Sequence, residues 1–286
     1  MVHVHNFSYG LLTPGLGYVM SSLGCFLGLR CTTRARAYYG AARVRWLTLA
    51  AVSIGTTGIW VMHFIAMLGF TIPGQTIRYS VTVTVASMLI AVTVVSIGLF
   101  IVGFGGDRTR PLLLGGLIIG CGVASMHYLG MAAMRMPDTV SYDPLLFILS
   151  VIIAIVAGTA ALWAGLRLNA VWSTLAASLI MGIAVSGMHY TGMAAMRVYG
   201  VQDPGMAASM QGGVDAEAFL GALIIGISIL AFMLTAVVSS APTAKEIAED
   251  AALAEWAARR FPDLSPTASN GRHTRARSPV RADRRS

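Results

Sequence analysis

Residues Ser186–Met196 read Ser-Gly-Met-His-Tyr-Thr-Gly-Met-Ala-Ala-Met and close the sixth of seven long apolar runs. A second copy stands at Ser125–Met134 as Ser-Met-His-Tyr-Leu-Gly-Met-Ala-Ala-Met, again at the end of an apolar run. An eroded third copy occupies Val61–Met67 as Val-Met-His-Phe-Ile-Ala-Met. Each sets one histidine among thioethers where other polar groups are scarce. The histidines are spaced 64 and 62 positions apart, so the motif marks a repeat.

Around these motifs the chain is 56% hydrophobic and 11% charged, against roughly 25% charged residues in a soluble domain. Seven apolar runs of about 20 residues each suffice to cross a hydrocarbon core about 30 Å thick. The sequence therefore predicts an all-α polytopic membrane protein, with spans at about 9–29, 46–70, 80–104, 111–134, 144–166, 171–196 and 218–238. Six of them form three tandem two-helix repeats at about 9–73, 79–137 and 141–199, and the span 218–238 closes the bundle. Two crossings per unit preserve direction, so the repeats run parallel to one another.

The net charge of +8 is a matter of orientation rather than of nucleic-acid binding. One set of loops, with the tail, holds 17 of the 20 Lys and Arg; the other holds only Arg78, Arg135 and Arg197. By the positive-inside rule the rich side is cytoplasmic, with the N-terminus outside. All three motifs then sit toward the outer face of the membrane. A polar lead covers residues 1–8, including a His3/His5 pair. Residues 241–261 suit an amphipathic cytoplasmic helix, and the Ser-, Pro- and Arg-rich 262–286 are expected to be disordered. This leaves no room for a catalytic output domain, so no enzyme activity is expected. Cys25, Cys31 and Cys121 form no CxxC pair and give no thiolate metal site.

On a helix turning about 100° per residue, Met131 and Met134 fall within a stripe about 60° wide with His127. His189, Met193 and Met196 repeat the pattern; His63 keeps Met67 but has Phe70 in the last place. Met62, Met126 and Met188 turn by about 100° toward neighbouring helices. Gly130, Gly192 and Ala66, three residues past each histidine, would let an adjacent backbone approach. Imidazole with thioethers suits Cu(I), while Mg, Ca and Mn ask for carboxylate oxygen; haem is the second choice, without a CxxCH attachment sequence. The candidate metal ligands are thus His63, His127 and His189 with Met67, Met131, Met193, Met134, Met196, Met62, Met126 and Met188. The parallel repeats predict that the imidazoles face one interior within about 12 Å, from helix spacings of about 8–10 Å. The alternative is a local hydroxyl partner for each, such as Thr56 or Ser186.

Met188-His189-Tyr190-Thr191 resembles the signature of the MHYT domain, an integral membrane sensor module of bacteria; Met126–Leu129 and Met62–Ile65 look like its diverged copies. The resemblance covers about residues 9–240. It implies a sensory and signalling protein that binds copper through the motif residues and perceives oxygen, CO or NO, or a redox change. Members are often fused to cyclic-di-GMP enzymes, so a separate cytoplasmic signalling partner is implied here. Membrane copper handling or transport is the rival reading. A retinal photoreceptor fails, because Lys245, the only lysine, lies beyond the last span.

Overall fold

A computed structural model describes residues 4–73, 76–105, 108–136, 139–200, 213–240, 242 and 244–260. Eight helices make up these residues: α1 (Leu12–Ala37), α2 (Gly40–Leu68), α3 (Val81–Gly105), α4 (Thr109–Ala132), α5 (Pro144–Arg167), α6 (Val171–Ala195), α7 (Ala216–Ser240) and α8 (Ala244–Arg260). The first seven contain spans long and apolar enough to cross a membrane. Inside a bilayer the helix is favoured because it satisfies its own backbone polar groups. Two compact units result: residues 1–240, and residues 241–286, of which α8 is described with Glu255 and Arg259 paired along one face at 3.2 Å. The expected disordered tail at 262–286 lies outside the described residues.

Helices α1 to α6 pack as a closed ring in chain order, with α6 returning to α1, and α7 lies against α1 and α2. The ring is tightened by glycine. A Cβ added at Gly24 of α1 would overlap the backbone of Gly58 of α2, and one at Gly120 of α4 would overlap that of Ile155 of α5. With no hydrophobic drive between helices in lipid, such close approach supplies the packing. α2 departs from regular α geometry: Ser53–Val61 is wound as π-helix. Trp60 in this segment is fully buried, its Nε1 donating to Ser87 Oγ at 3.0 Å on α3.

Two boundaries differ from the sequence reading. α1 extends to Ala37, and the arginine-rich stretch 30–45 is helical except at the extended Tyr38 and Tyr39. Its arginines serve as caps: Arg36 donates to the carbonyls of Leu166 and Leu168 at the end of α5, and Arg43 to that of Gly103 at the end of α3. The terminal carbonyls of a helix lack partners of their own and carry partial negative charge, which fits arginine. A cavity of about 80 Å³ lies at this end, with Arg36 and Arg43 in its wall.

At the opposite, motif end, short antiparallel ladders tie the chain together. His5 bridges Thr71; β1 (Arg78–Tyr79) pairs with β2 (Met134–Arg135) and β5 (Val214–Asp215); β3 (Thr139–Tyr142) pairs with β4 (Met196–Tyr199). Asp143 follows β3 as the N-cap of α5, its Oδ1 accepting from Leu145 and Leu146 N–H while Pro144 begins the helix. Its Oδ2 meets Arg197 of β4 at 2.7 Å.

Gly120→Ala should lower thermal stability by about 1–3 kcal/mol through overpacking. Gly187→Ala, where a Cβ meets open space, should not; paired melting curves in one detergent decide this. Arg197 and the Leu146 N–H hold the Asp143 carboxyl below its ordinary value. The contribution of Asp143 to stability is therefore present above its unfolded pKa of about 3.9 and lost as pH falls through the lower folded value. A carboxyl ¹³C titration should show the depressed pKa in wild type and a higher one in Arg197→Gln.

Candidate metal centre

His63, His127 and His189 come from α2, α4 and α6 and meet on the axis of the ring. All three are buried, with 1% exposure each. Their Nδ1 atoms form a triangle with edges of 3.0, 3.1 and 3.3 Å, and the ring centroids stand 5.0 Å apart with each pair of planes near perpendicular. The imidazoles therefore converge much more closely than helix spacing alone requires.

Hydrogen bonding cannot account for this triangle. A neutral imidazole has either a hydrogen or a lone pair at Nδ1. Three atoms in mutual contact cannot all differ, so at least one edge sets two lone pairs or two hydrogens against each other. None of the three Nε2 atoms has a hydrogen-bond partner either. Nor do the local hydroxyls help: Thr56 Oγ1 donates to the Val52 carbonyl, and Ser186 Oγ is unpartnered. A cation at the centre would satisfy three lone pairs at once. Dividing the mean edge by √3 puts that centre about 1.8 Å from each Nδ1, close to the metal–imidazole distance of about 2.0 Å. Among the described residues these three form the one group of His, Cys, Asp and Glu able to hold a metal ion.

The helices hold the rings by a cyclic set of contacts. A Cβ added at Gly130 of α4 would overlap Nε2 of His63, and one at Gly192 of α6 would overlap Nε2 of His127. The glycine three residues past His127 and past His189 thus admits an imidazole from another motif helix, where the sequence reading expected a backbone; Ala66 holds the corresponding place past His63. The motif aromatics follow the same cyclic order. Phe64 packs on Tyr79 before α3, Tyr128 on Tyr142 before α5, and Tyr190 stacks on Phe7 before α1 at 5.4 Å.

The methionines divide. Met67, Met131 and Met193 are buried one turn beyond their histidines toward the motif end, on the same helix face. Met134 and Met196 are also buried, but α4 stops at Ala132 and α6 at Ala195; these two begin or lie in β2 and β4, so the helical stripe does not extend to them. The helices end there because the chain turns into the strand ladders. Met62, Met126 and Met188 are buried at other angles; Met62 lies against Gly17 of α1. The sequence reading omitted Ile59, Val123 and Val185, each one turn before a histidine and each lining a cavity on the arginine side. The −4 spacing is the signal that could have found them. His3 lies outside the described residues, and His5 is engaged in the bridge to Thr71.

A ring of apolar spans around three convergent histidines defines a multi-pass membrane protein with a candidate metal centre. The family model described as a bacterial signalling protein N-terminal repeat, MHYT, matches residues 57–116, 120–178 and 182–248, and the chain belongs to that family. The family's repeat begins within α2, out of phase with units that begin at α1, α3 and α5. The chain is 38% identical over 193 residues to the bifunctional diguanylate cyclase/cyclic di-GMP phosphodiesterase MucR of Pseudomonas aeruginosa, covering 66% of this chain and 28% of MucR. It is 37% identical to the cyclic di-GMP phosphodiesterase NbdA of the same organism (68% and 25% covered) and 29% identical to the signaling protein YkoW of Bacillus subtilis (68% and 24%). The chain thus spans about a quarter of the length of these relatives. No solved structure matches it.

The cyclic contacts make a double-substitution test. Gly130→Ala should cost about 1–3 kcal/mol by overpacking, and His63→Ala should absorb much of that cost while His127→Ala does not. Gly192→Ala should show the reverse dependence. Thermal stabilities of the single and double variants give the coupling energies.

Proposed function

We propose that this protein is a sensory membrane protein that holds one copper ion, Cu(I) in its resting state, between Nδ1 of His63, His127 and His189, and reports a diatomic gas or a redox change. The observation that supports this most directly is the Nδ1 triangle, which no arrangement of hydrogens satisfies. Three neutral imidazoles without a carboxylate favour a soft monovalent ion over Mg, Ca or Mn. Contact distances between the Nδ1 atoms leave no room for a porphyrin, which favours an ion over haem. Met67, Met131 and Met193 would shield it on the motif side, whereas Met134 and Met196 are too far along the chain to share their helical faces. The ion would supply a soft Lewis-acidic centre with an open position for O₂, CO or NO, or a one-electron couple.

The chain's own residues turn such an event into motion. The three ligands belong to three helices, so a change in Nδ1 spacing shifts α2, α4 and α6 against one another, and glycine contacts pass the shift to the ring. The distribution of basic residues supports three parallel two-helix units with an outer N-terminus and an inner C-terminus, and hence motifs near the outer face of a bacterial plasma membrane. Output passes to a cytoplasmic signalling partner, in keeping with relatives named for cyclic-di-GMP turnover. Copper handling is the second reading. It is favoured by the sulfur-bearing residues Cys25, Met181 and Met188, which line the cavity on the arginine side of the triangle.

Purified protein should bind one Cu(I) per chain in competition with a chromogenic chelator. Each of His63→Ala, His127→Ala and His189→Ala should weaken binding at least 100-fold, and Met67→Leu, Met131→Leu or Met193→Leu by about tenfold or less. Full copper retention in the triple histidine variant would sink the reading. A sensor should move no copper into proteoliposomes; a handling protein should.

A further inference from the structure

A cavity of about 40 Å³ lies directly beneath the histidine triangle on its arginine side. Its position relative to the site is fixed by the helices. Ile59, Val123 and Val185 line it, and each stands four residues before His63, His127 or His189. One turn of helix is about 5.4 Å, so this layer of side chains stands between the cavity and the histidines. The wall is hydrocarbon with a few sulfurs. Thr32 carries the only hydroxyl among its lining residues, and that hydroxyl donates to the Gly28 carbonyl at 2.9 Å.

A cavity needs about 10–15 Å³ to admit a water, and the water needs two to four polar partners; apolar cavities without them stay dry and take up apolar atoms such as xenon. This one has the volume for two or three water-sized atoms, and the Thr32 hydroxyl, its hydrogen already donated, is one polar group where a water needs two to four. The occupant that fits is small, neutral and apolar, with two heavy atoms rather than six. Dissolved diatomic gases meet that description, and they concentrate in the hydrocarbon that surrounds the ring.

We propose that this cavity is a docking chamber for a diatomic gas, which reaches the histidine site through the Ile59/Val123/Val185 layer rather than past the methionines at the motif end. The assignment of the gas as the site's ligand rests on the sensory reading above; the chamber itself does not depend on a metal. It gives the −4 residues a specificity role: their methyl groups set how large a molecule can stand beneath the three Nδ1 atoms.

The test uses metal-free full-length protein in nanodiscs with ¹³C-labelled Ile and Val methyl groups, titrated with xenon. The methyls of Ile59, Val123 and Val185 should shift saturably. None of these residues lines the 80 Å³ cavity at the arginine end, so binding there does not mimic the effect. Ala154→Leu projects a larger side chain from the wall and should weaken xenon binding at least tenfold while Cu(I) binding stays as in wild type. Ile119→Val, which enlarges the chamber by one methylene, should tighten xenon binding about twofold or more, and it serves if Ala154→Leu fails to fold. Non-saturating shifts like those of lipid-facing methyls, or saturable shifts unchanged in both variants, would overturn the proposal. Failure of wild type to bind copper would remove the sensory reading and leave the xenon result standing.

Discussion

Three imidazole Nδ1 atoms brought into contact in an apolar interior are the constraint on which this structure depends. An ionisable side chain inside a membrane is costly, and it persists where a partner compensates. Here each histidine's nearest polar neighbours are two other histidines, and no arrangement of hydrogens makes all three mutually attractive. The surrounding sequence can be understood as what is needed to hold them there. Glycine sits three residues past His127 and His189 because an imidazole occupies the space a Cβ would take. An aromatic follows each histidine and packs on the segment that opens another helix.

The ring is cyclic in its contacts but not uniform. α7 covers only α1 and α2, and α2 alone carries the π-helical stretch. π-Helical segments insert an extra residue into a turn and recur at functional sites. His63 follows this stretch, so it reaches the axis from a helix of different winding than His127 and His189. The eroded first motif is thus also the most deeply enclosed, with 89% of its span buried against 50% and 33% for α4 and α6. Phe64 takes the place of tyrosine at a fully buried position, whereas the Tyr128 hydroxyl meets Ser150 Oγ at 2.7 Å.

The seven spans are legible in the sequence because span length and apolarity are set by the bilayer rather than by tertiary context. Convergence of the histidines is legible too, since equal depth on parallel helices leaves few other ways to bury three imidazoles. The choice of Nδ1, and contact at about 3 Å, depend on rotamers that helical spacing cannot specify. Met134 and Met196 were placed on the histidine stripe by a rule that holds only while the helix continues, and the helix yields there to strand pairing. The arginine-rich stretch looked like a loop because charge ordinarily ends a span. Its arginines instead reach the ends of α3 and α5 from within helices, satisfying carbonyls 60 positions away at Gly103 and 130 and 132 positions away at Leu166 and Leu168.

The stacking of Phe7 on Tyr190 bears on how the protein is made. It joins the segment before the first span to the sixth, so the ring closes through residues 183 positions apart in the chain. Membrane helices are delivered in order as the ribosome elongates, at about 5–20 residues per second. The 62 residues between His127 and His189 therefore correspond to about 3–12 s during which two imidazoles are present without the third. Until α6 arrives, the face of α1 that it will cover is open to lipid. The last-made motif, the one that retains the full Met-His-Tyr-Thr sequence, is also the one that shuts the ring.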